Sequence, residues 1–395
     1  MDFPNDILSL ELPGPAHPQV QWGQLYGAAQ SLAVAQAANN YPGLICVVTA
    51  SAIAADRLQR ELNFFSPKLN LRRFGDYETL PYDAFSPPQE LIAERLTTLA
   101  ALTHDRVSTL VVNAQALLTR LPPRGFIEAR SMSLRVGERL DRQLFIEQLV
   151  SHGYLHVEKV VDPGEFAVRG SLLDVYPSSA DHPIRIDLFD DEVETLRIFD
   201  PGTQLTTGKA RKIEILPARE FPFDIDAIRG FRERFRDNIS GEPNRSNIYR
   251  DISDAHLPAG IESFLPLFFD STSSLLEHFP EDTLYIFMDE ALAGLDSGWA
   301  LIEERYTQLC GDIERPLLTP EIAFCSPELL RSQLAETQSI RICSRELATS
   351  KEKFSINART SHPLHSIRSE EQDPITRWLY ANDSARTLVV TSSPG

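Results

Sequence analysis

Leu44-Ile45-Cys46-Val47-Val48-Thr49 is an unbroken apolar run, and Ser51 follows it almost at once. A run without polar alternation fits a strand buried on both faces. Ser51 is placed to cap a helix extending through Leu62, because a serine oxygen accepts from the free N–H groups of a first helical turn. The same strand-then-helix grammar recurs on either side. Residues 23–39 are Ala-rich and amphipathic, and are expected to be helical. Pro87-Pro88 precede a helix expected over 89–102, with Leu91, Ile92, Leu96 and Leu99 at helical spacing. Leu110-Val111-Val112 is a further buried strand. This alternation over residues 1–125 predicts a parallel α/β sheet.

The pattern changes over 126–217. Short alternating strands separated by Gly, Pro and Asp turns dominate there, with one helix expected over 141–151. Over 218–348 the α/β character resumes, with a helix at 224–237, a strand at 284–288, a helix at 290–309 and a short strand at 340–343. The simplest account is one α/β domain interrupted by a β-rich insert. Residues 349–372 are polar and charged and read as a linker. A helix at 373–381 and a strand at 386–391 follow. One helix and one strand cannot bury a core alone, so residues 373–395 are expected to begin a third, truncated domain of a longer protein.

Composition narrows the function. The 395 residues fit two or three domains at ~150 residues each. Against 56 Asp+Glu stand 38 Lys+Arg, a net charge of −18, which argues against a general nucleic-acid coat. No apolar run approaches the ~18–20 residues of a membrane span, and the acidic N-terminus lacks a signal pattern. The four cysteines have no CxxC spacing, which suits a reducing, cytoplasmic setting, and no metal motif occurs. His362 and His365, three apart in a polar stretch, do not make a ligand set.

A phosphate-cradling loop needs paired glycines and a lysine, and no G-x-x-x-x-G-K-[ST] occurs. The nearest position, 25–32, offers Gly27 and Ser31 without the lysine, and reads as an ordinary helix start. The strand at 284–288 ends in Asp289-Glu290. In ATPases such a pair serves magnesium and the attacking water, but without the phosphate cradle its expected role is structural or vestigial. The Arg-rich helix at 224–237 carries as many acids among its arginines, and Ile225, Ile228, Phe231 and Phe235 give it a core face. An ordinary amphipathic helix is therefore expected there.

The insert carries the sharpest pattern. In Ile184-Arg185-Ile186-Asp187-Leu188-Phe189 the aliphatic residues form a core face, and Arg185, Asp187 and Phe189 point outward. Arg197 and Glu194 can share that outer face, and Arg169 precedes a Gly170 that permits a bulge. An arginine and a phenylalanine on an open face fit an interface anchor. A solvated face with scattered ion pairs fits the pattern equally well.

Two stretches of the insert, EFAVRGSLLDVYP (165–177) and RIDLFDDEVETLRIFD (185–200), resemble a segment shared by two bacterial excision-repair families. These are the damage-verifying helicase UvrB and the transcription-repair coupling factors (the Mfd family). DYETLPYDAFSP (76–87), LPAREFP (216–222) and LPAGIESFLPLFF (257–269) resemble the second family, in its N-terminal UvrB-homology part. The resemblance implies a degenerate P-loop (RecA-like) parallel α/β domain split by an inserted β-rich α+β domain, with a further α/β domain beginning after it. It implies that the insert binds UvrA through Arg169, Arg185 and Phe189, with Glu192 and Arg197 more peripheral. Gly27, Ser31, Asp289 and Glu290 mark the vestigial nucleotide site, and the acidic pair is better kept than this family leads one to expect. The implied function is an adaptor that recruits UvrA to stalled RNA polymerase for nucleotide excision repair, with no catalysis in this part. ATP, magnesium, RNA polymerase and double-stranded DNA would be handled by later domains, including a DNA translocase motor, which can also mask the UvrA surface. The alternative is a UvrB-related ATP-dependent DNA helicase subunit with residual nucleotide binding.

Overall fold

A computed structural model describes residues 8, 10–103, 107–348, 350, 352–356 and 358. The helix and strand expected at 373–391, and the His362–His365 pair, lie outside the described residues.

The chain first lays down β1 (Gln19–Gly23), α1 (Ala28–Asn40), β2 (Ile45–Thr49), α2 (Ala52–Phe65), β3 (Leu71–Phe74), α3 (Gln89–Thr103), β4 (Thr109–Asn113), α4 (Ala114–Leu117) and α5 (Gly125–Ala129). It then builds β5 (Met132–Arg135), α6 (Arg142–Ser151), β6 (Leu155–His156), β7 (Glu165–Arg169), β8 (Leu172–Val175), β9 (Ile184–Phe189), β10 (Glu192–Phe199), β11 (Thr206–Ala210) and β12 (Lys212–Ile215). Finally come α7 (Ile225–Asn238), α8 (Asn247–Ser253), β13 (Leu284–Phe287), α9 (Ala291–Leu309), α10 (Pro320–Ala323), α11 (Pro327–Leu334), β14 (Ser339–Ile342) and β15 (Lys353–Ser355).

Seven strands in the order β15-β1-β14-β13-β2-β4-β3 form one parallel sheet. The apolar run at 44–49 lies inside it, between β13 and β4. Cys46 and Val48 face one core and Ile45 and Val47 the other, which is why no polar residue interrupts the strand. Ser51 caps α2 as expected, its hydroxyl accepting from the Ala54 N–H at 3.3 Å. The mixed α/β architecture, with a parallel sheet and a separate antiparallel β-rich region, is the fold class that the strand-helix grammar predicts.

That second region is a six-stranded sheet, β11-β10-β9-β8-β7-β6, with a two-stranded partner, β12-β5, and α6. Its core is its own: Phe145 and Leu149 from α6 pack with Phe166, Leu173, Ile184, Ile186, Leu188 and Ile213. Ala218 still belongs to this core, and Phe221 already belongs to that of the parallel sheet.

Several local expectations need correction. Residues 19–23 form a strand, and α1 starts only at Ala28, after Gly27 turns the backbone at φ 52°. Val20 and Trp22 alternate with glutamines and bury themselves, a period-two signal too short to stand out. Lys353–Ser355, inside the stretch read as linker, pairs with β1 as an edge strand and packs Phe354 against the core. Phe126 and Ile127, read as the start of the insert, belong to the parallel-sheet core. Ile225 is 84% exposed; the core side of α7 is Ala227, Phe231 and Phe235. Gly170 makes no bulge. At φ 58° it closes a tight β7–β8 hairpin in unbroken register.

The two regions are joined by a buried ion pair. Arg95 on α3 and Glu220 at the exit of the insert are 1% and 3% exposed, and the Arg95 Nε donates to Glu220 at 2.9 Å. Arg95 also donates to the Gly75 carbonyl at 2.7 Å and lies over the rings of Phe74 and Tyr77. The Tyr77 hydroxyl donates to the other Glu220 oxygen. Burial and the Glu220 charge drive the tyrosine's pKa far up, so it stays a donor.

Candidate functional site: the outer face of the insert sheet

The antiparallel register brings the candidate residues together. Arg185 on β9 stands opposite Arg197 on β10 and Asp174 on β8. Phe189 pairs with Glu192 across the β9–β10 hairpin, and Arg169 ends β7 opposite Leu172. All five residues lie on the face away from the core, because Ile184, Ile186, Leu188 and Val193 occupy the other. The alternation read in 184–189 is observed residue for residue in the burial of β9.

The face has two ends of different character. At one end, Val160, Ala167, Tyr176 and Phe199 make a small second core. Arg185 sits over it, its guanidinium 4.7 Å from the Phe199 ring. Both Arg185 forks donate to Asp174, at 2.7 and 2.8 Å, and the Asp174 side chain is 1% exposed. Such a bidentate pair fixes a planar guanidinium in one orientation. The hydrogen bonds to Asp174 push the Arg185 pKa up, against its partial burial, so its charge is permanent. Arg185 is therefore largely committed inward. Arg197 donates to Asp187 at 2.8 Å and remains half-buried.

The other end is open. Phe189 is 71% exposed at the head of the hairpin. Asp190, at φ 52°, turns the chain there and lets Glu192 follow on the same face, exposed. Arg169 is exposed and donates to the Glu158 carbonyl at 2.8 Å, which steadies its long side chain. An exposed aromatic ring paired with an anion, and a cation two strands away on the same face, are thus held on one hydrogen-bonded sheet.

Sequence reasoning did not find Asp174 and Phe199 as the partners of Arg185. The available signal was a lone carboxylate in the apolar stretch Leu172-Leu173-Asp174-Val175, which needed a cation opposite it. Glu220, within residues 216–222, gives no local sign of its pairing to Arg95.

The four residues of the vestigial nucleotide site are not gathered into one pocket among the described residues. Ser31 is buried, and its hydroxyl donates to the Glu61 carboxylate. Asp289 accepts the Ser344 N–H at 3.1 Å and the Ser344 hydroxyl. Glu290 leads into α9 in the left-handed region, at φ 66°. The turn after β1 is filled by the chain itself. The Gln24 N–H donates to the Arg345 carbonyl at 2.9 Å, the Leu25 N–H to Cys343, the Ala29 N–H to Tyr26 and the Gln30 N–H to Gly27. A Cβ at Gly23 would sit 2.6 Å from the Leu347 side chain. These four backbone N–H groups, in a turn that would cradle a phosphate elsewhere, are here bonded to carbonyls.

No helix among the described residues is long and apolar enough to cross a membrane. Comparison with known proteins places these features in a family. Residues 132–221 match the UvrB interaction domain. The chain is 33% identical over 365 residues, 92% of its length, to the transcription-repair-coupling factor of Escherichia coli (strain K12). It is 34% identical over 355 residues to that of Haemophilus influenzae and 32% identical over 321 residues to that of Myxococcus xanthus. It covers 32%, 31% and 26% of those relatives' own lengths. The likeness thus runs through both halves of the parallel-sheet domain and through the insert between them, and the chain belongs to the transcription-repair-coupling factor family, of whose compared members it spans between a quarter and a third.

Proposed function

We propose that the chain is a UvrB-like adaptor module whose insert offers its outer sheet face to UvrA, and so recruits UvrA to stalled RNA polymerase for nucleotide excision repair. The observation that carries this is Phe189, an exposed aromatic at the head of a hairpin, paired with Glu192, with Arg169 exposed on the same face two strands away. Exposed aromatic and arginine anchors on a preorganised surface are what concentrate binding energy at interfaces. Phe189, Arg169 and Glu192 make the direct contacts in this reading. Arg197 borders them, and Arg185 acts mainly by holding the sheet through Asp174. RNA polymerase, double-stranded DNA and ATP are engaged by parts of the relatives that this chain does not span.

Reversing one charge tests the site. With the chain immobilised, Arg169→Glu is expected to weaken capture of purified UvrA at least tenfold, about 1.4 kcal/mol. Capture equal to that of the parent would remove Arg169 from the interface.

The module itself performs no catalytic step in this reading. The occupied N–H groups after β1 and the capture of Asp289 by Ser344 support that view. A fluorescent ATP analogue with magnesium is expected to show no saturable binding up to millimolar concentration. Saturable binding that Asp289→Asn abolishes would favour the helicase-like alternative.

A further inference from the structure

The largest cavity among those described lies in the parallel-sheet domain, away from the insert face. It has a volume of about 460 Å³ and opens at the carboxyl ends of β2, β3 and β4. That is the end of an open α/β sheet where ligands bind, and the volume lies in the usual range of ligand sites, about 300–1,000 Å³. Tyr82, Leu118, Leu301, Ile302 and Phe324 provide apolar wall. Tyr82 is locked by a hydrogen bond from its hydroxyl to the Leu318 carbonyl at 3.0 Å and by edge contact with Phe324.

The cavity also holds an unsatisfied polar atom. Asn113, at the end of β4, is 1% exposed and lines it. Its Nδ2 donates to Asp76 at 3.0 Å, which fixes the amide orientation, since a carboxylate only accepts. Asn113 Oδ1 is buried and receives no donor from the protein. Buried acceptors are normally paired, so this one calls for an external donor.

Charge specifies the donor. Asp76, Glu78, Asp83 and Glu262 all line the cavity. Arg120 also lines it, but its guanidinium donates to the Phe324 and Glu321 carbonyls, at 3.0 and 2.8 Å. The cavity therefore favours a cation. Around its mouth Ile53, Leu80 and Phe85 are exposed, so an occupant confined to the interior would leave apolar surface wet. A longer occupant covers both.

We propose that this cavity docks an extended peptide segment of a partner protein, seating an apolar side chain against Tyr82, Ile302 and Phe324 and an adjacent arginine or lysine at Asn113 and Asp76. The exposed rim residues then close over the peptide backbone.

The test is fluorescence anisotropy with two labelled peptides, Gly-Leu-Arg-Phe-Leu-Gly and its counterpart with glutamate in place of arginine. The arginine peptide is expected to bind the intact chain saturably and at least tenfold more tightly. Phe85→Ser, a change at an exposed position, is expected to weaken it at least fivefold with an unchanged melting temperature. Asn113→Leu is expected to erase the preference for arginine; if that variant does not fold, the Phe85→Ser arm still decides. Equal affinity for the two peptides, no saturation by either, or full affinity in Phe85→Ser would each overturn the proposal. So would 4-phenylbutylamine binding as tightly as the arginine peptide, which would make this a small-molecule site.

Discussion

Glu220→Ala is expected to destabilise the chain by about 3–5 kcal/mol, the usual cost of stranding one member of a buried ion pair. The variant removes the carboxylate and leaves Arg95 charged inside the protein. Of its hydrogen bonds Arg95 keeps only that to the Gly75 carbonyl and a long one to Thr119, and the Tyr77 hydroxyl loses its acceptor. A guanidinium cannot escape by losing its proton, so the penalty is felt in full. Urea unfolding checks this through the midpoint. Arg95→Met combined with Glu220→Leu is expected to recover a large part of the loss, because two apolar groups leave no buried charge behind. A Glu220→Ala midpoint within error of the parent would show that water reaches Arg95. The exposed pair Arg229–Asp226, at 2.7 Å, is the control: its removal is expected to cost under ~0.5 kcal/mol.

Phe189→Ala is expected to have the largest effect on binding, weakening UvrA by about 2–4 kcal/mol if the ring is the central anchor. The same change should leave the melting temperature within error, because the ring is exposed and contributes little to the insert core. That separation distinguishes an anchor from a structural residue. Asp174→Ala should behave differently and lower both stability and binding. It strands Arg185 over Phe199 and loosens the strands that carry Phe189. Loss of stability in Phe189→Ala would show that the ring packs inward.

Much of this was legible in the sequence, for reasons of locality. The strands β2, β4 and β13 are buried along their whole length, with apolar residues at their centres, because both faces of the parallel sheet are covered. The outward set Arg185, Asp187 and Phe189 follows from the two-residue period alone. What escaped was non-local or short. The Asp174–Arg185 pair depends on the register of β8 against β9, which no local pattern supplies. The N–H groups of Gln24 and Leu25 are occupied by the carbonyls of Arg345 and Cys343, about three hundred residues later. β15 has three residues, fewer than a periodicity needs to be visible. The Arg95–Glu220 pair joins residues 125 apart in the chain, which no local pattern signals.

The central claim is that this chain binds UvrA through the open end of the insert sheet. Calorimetric titration of purified UvrA with the intact chain tests it most directly, alongside Phe189→Ala and Asp289→Asn. The account expects saturable binding by the parent, binding at least tenfold weaker for Phe189→Ala, and parental affinity for Asp289→Asn. No heat of binding with the parent chain, or a Phe189→Ala variant that binds like the parent, would contradict it.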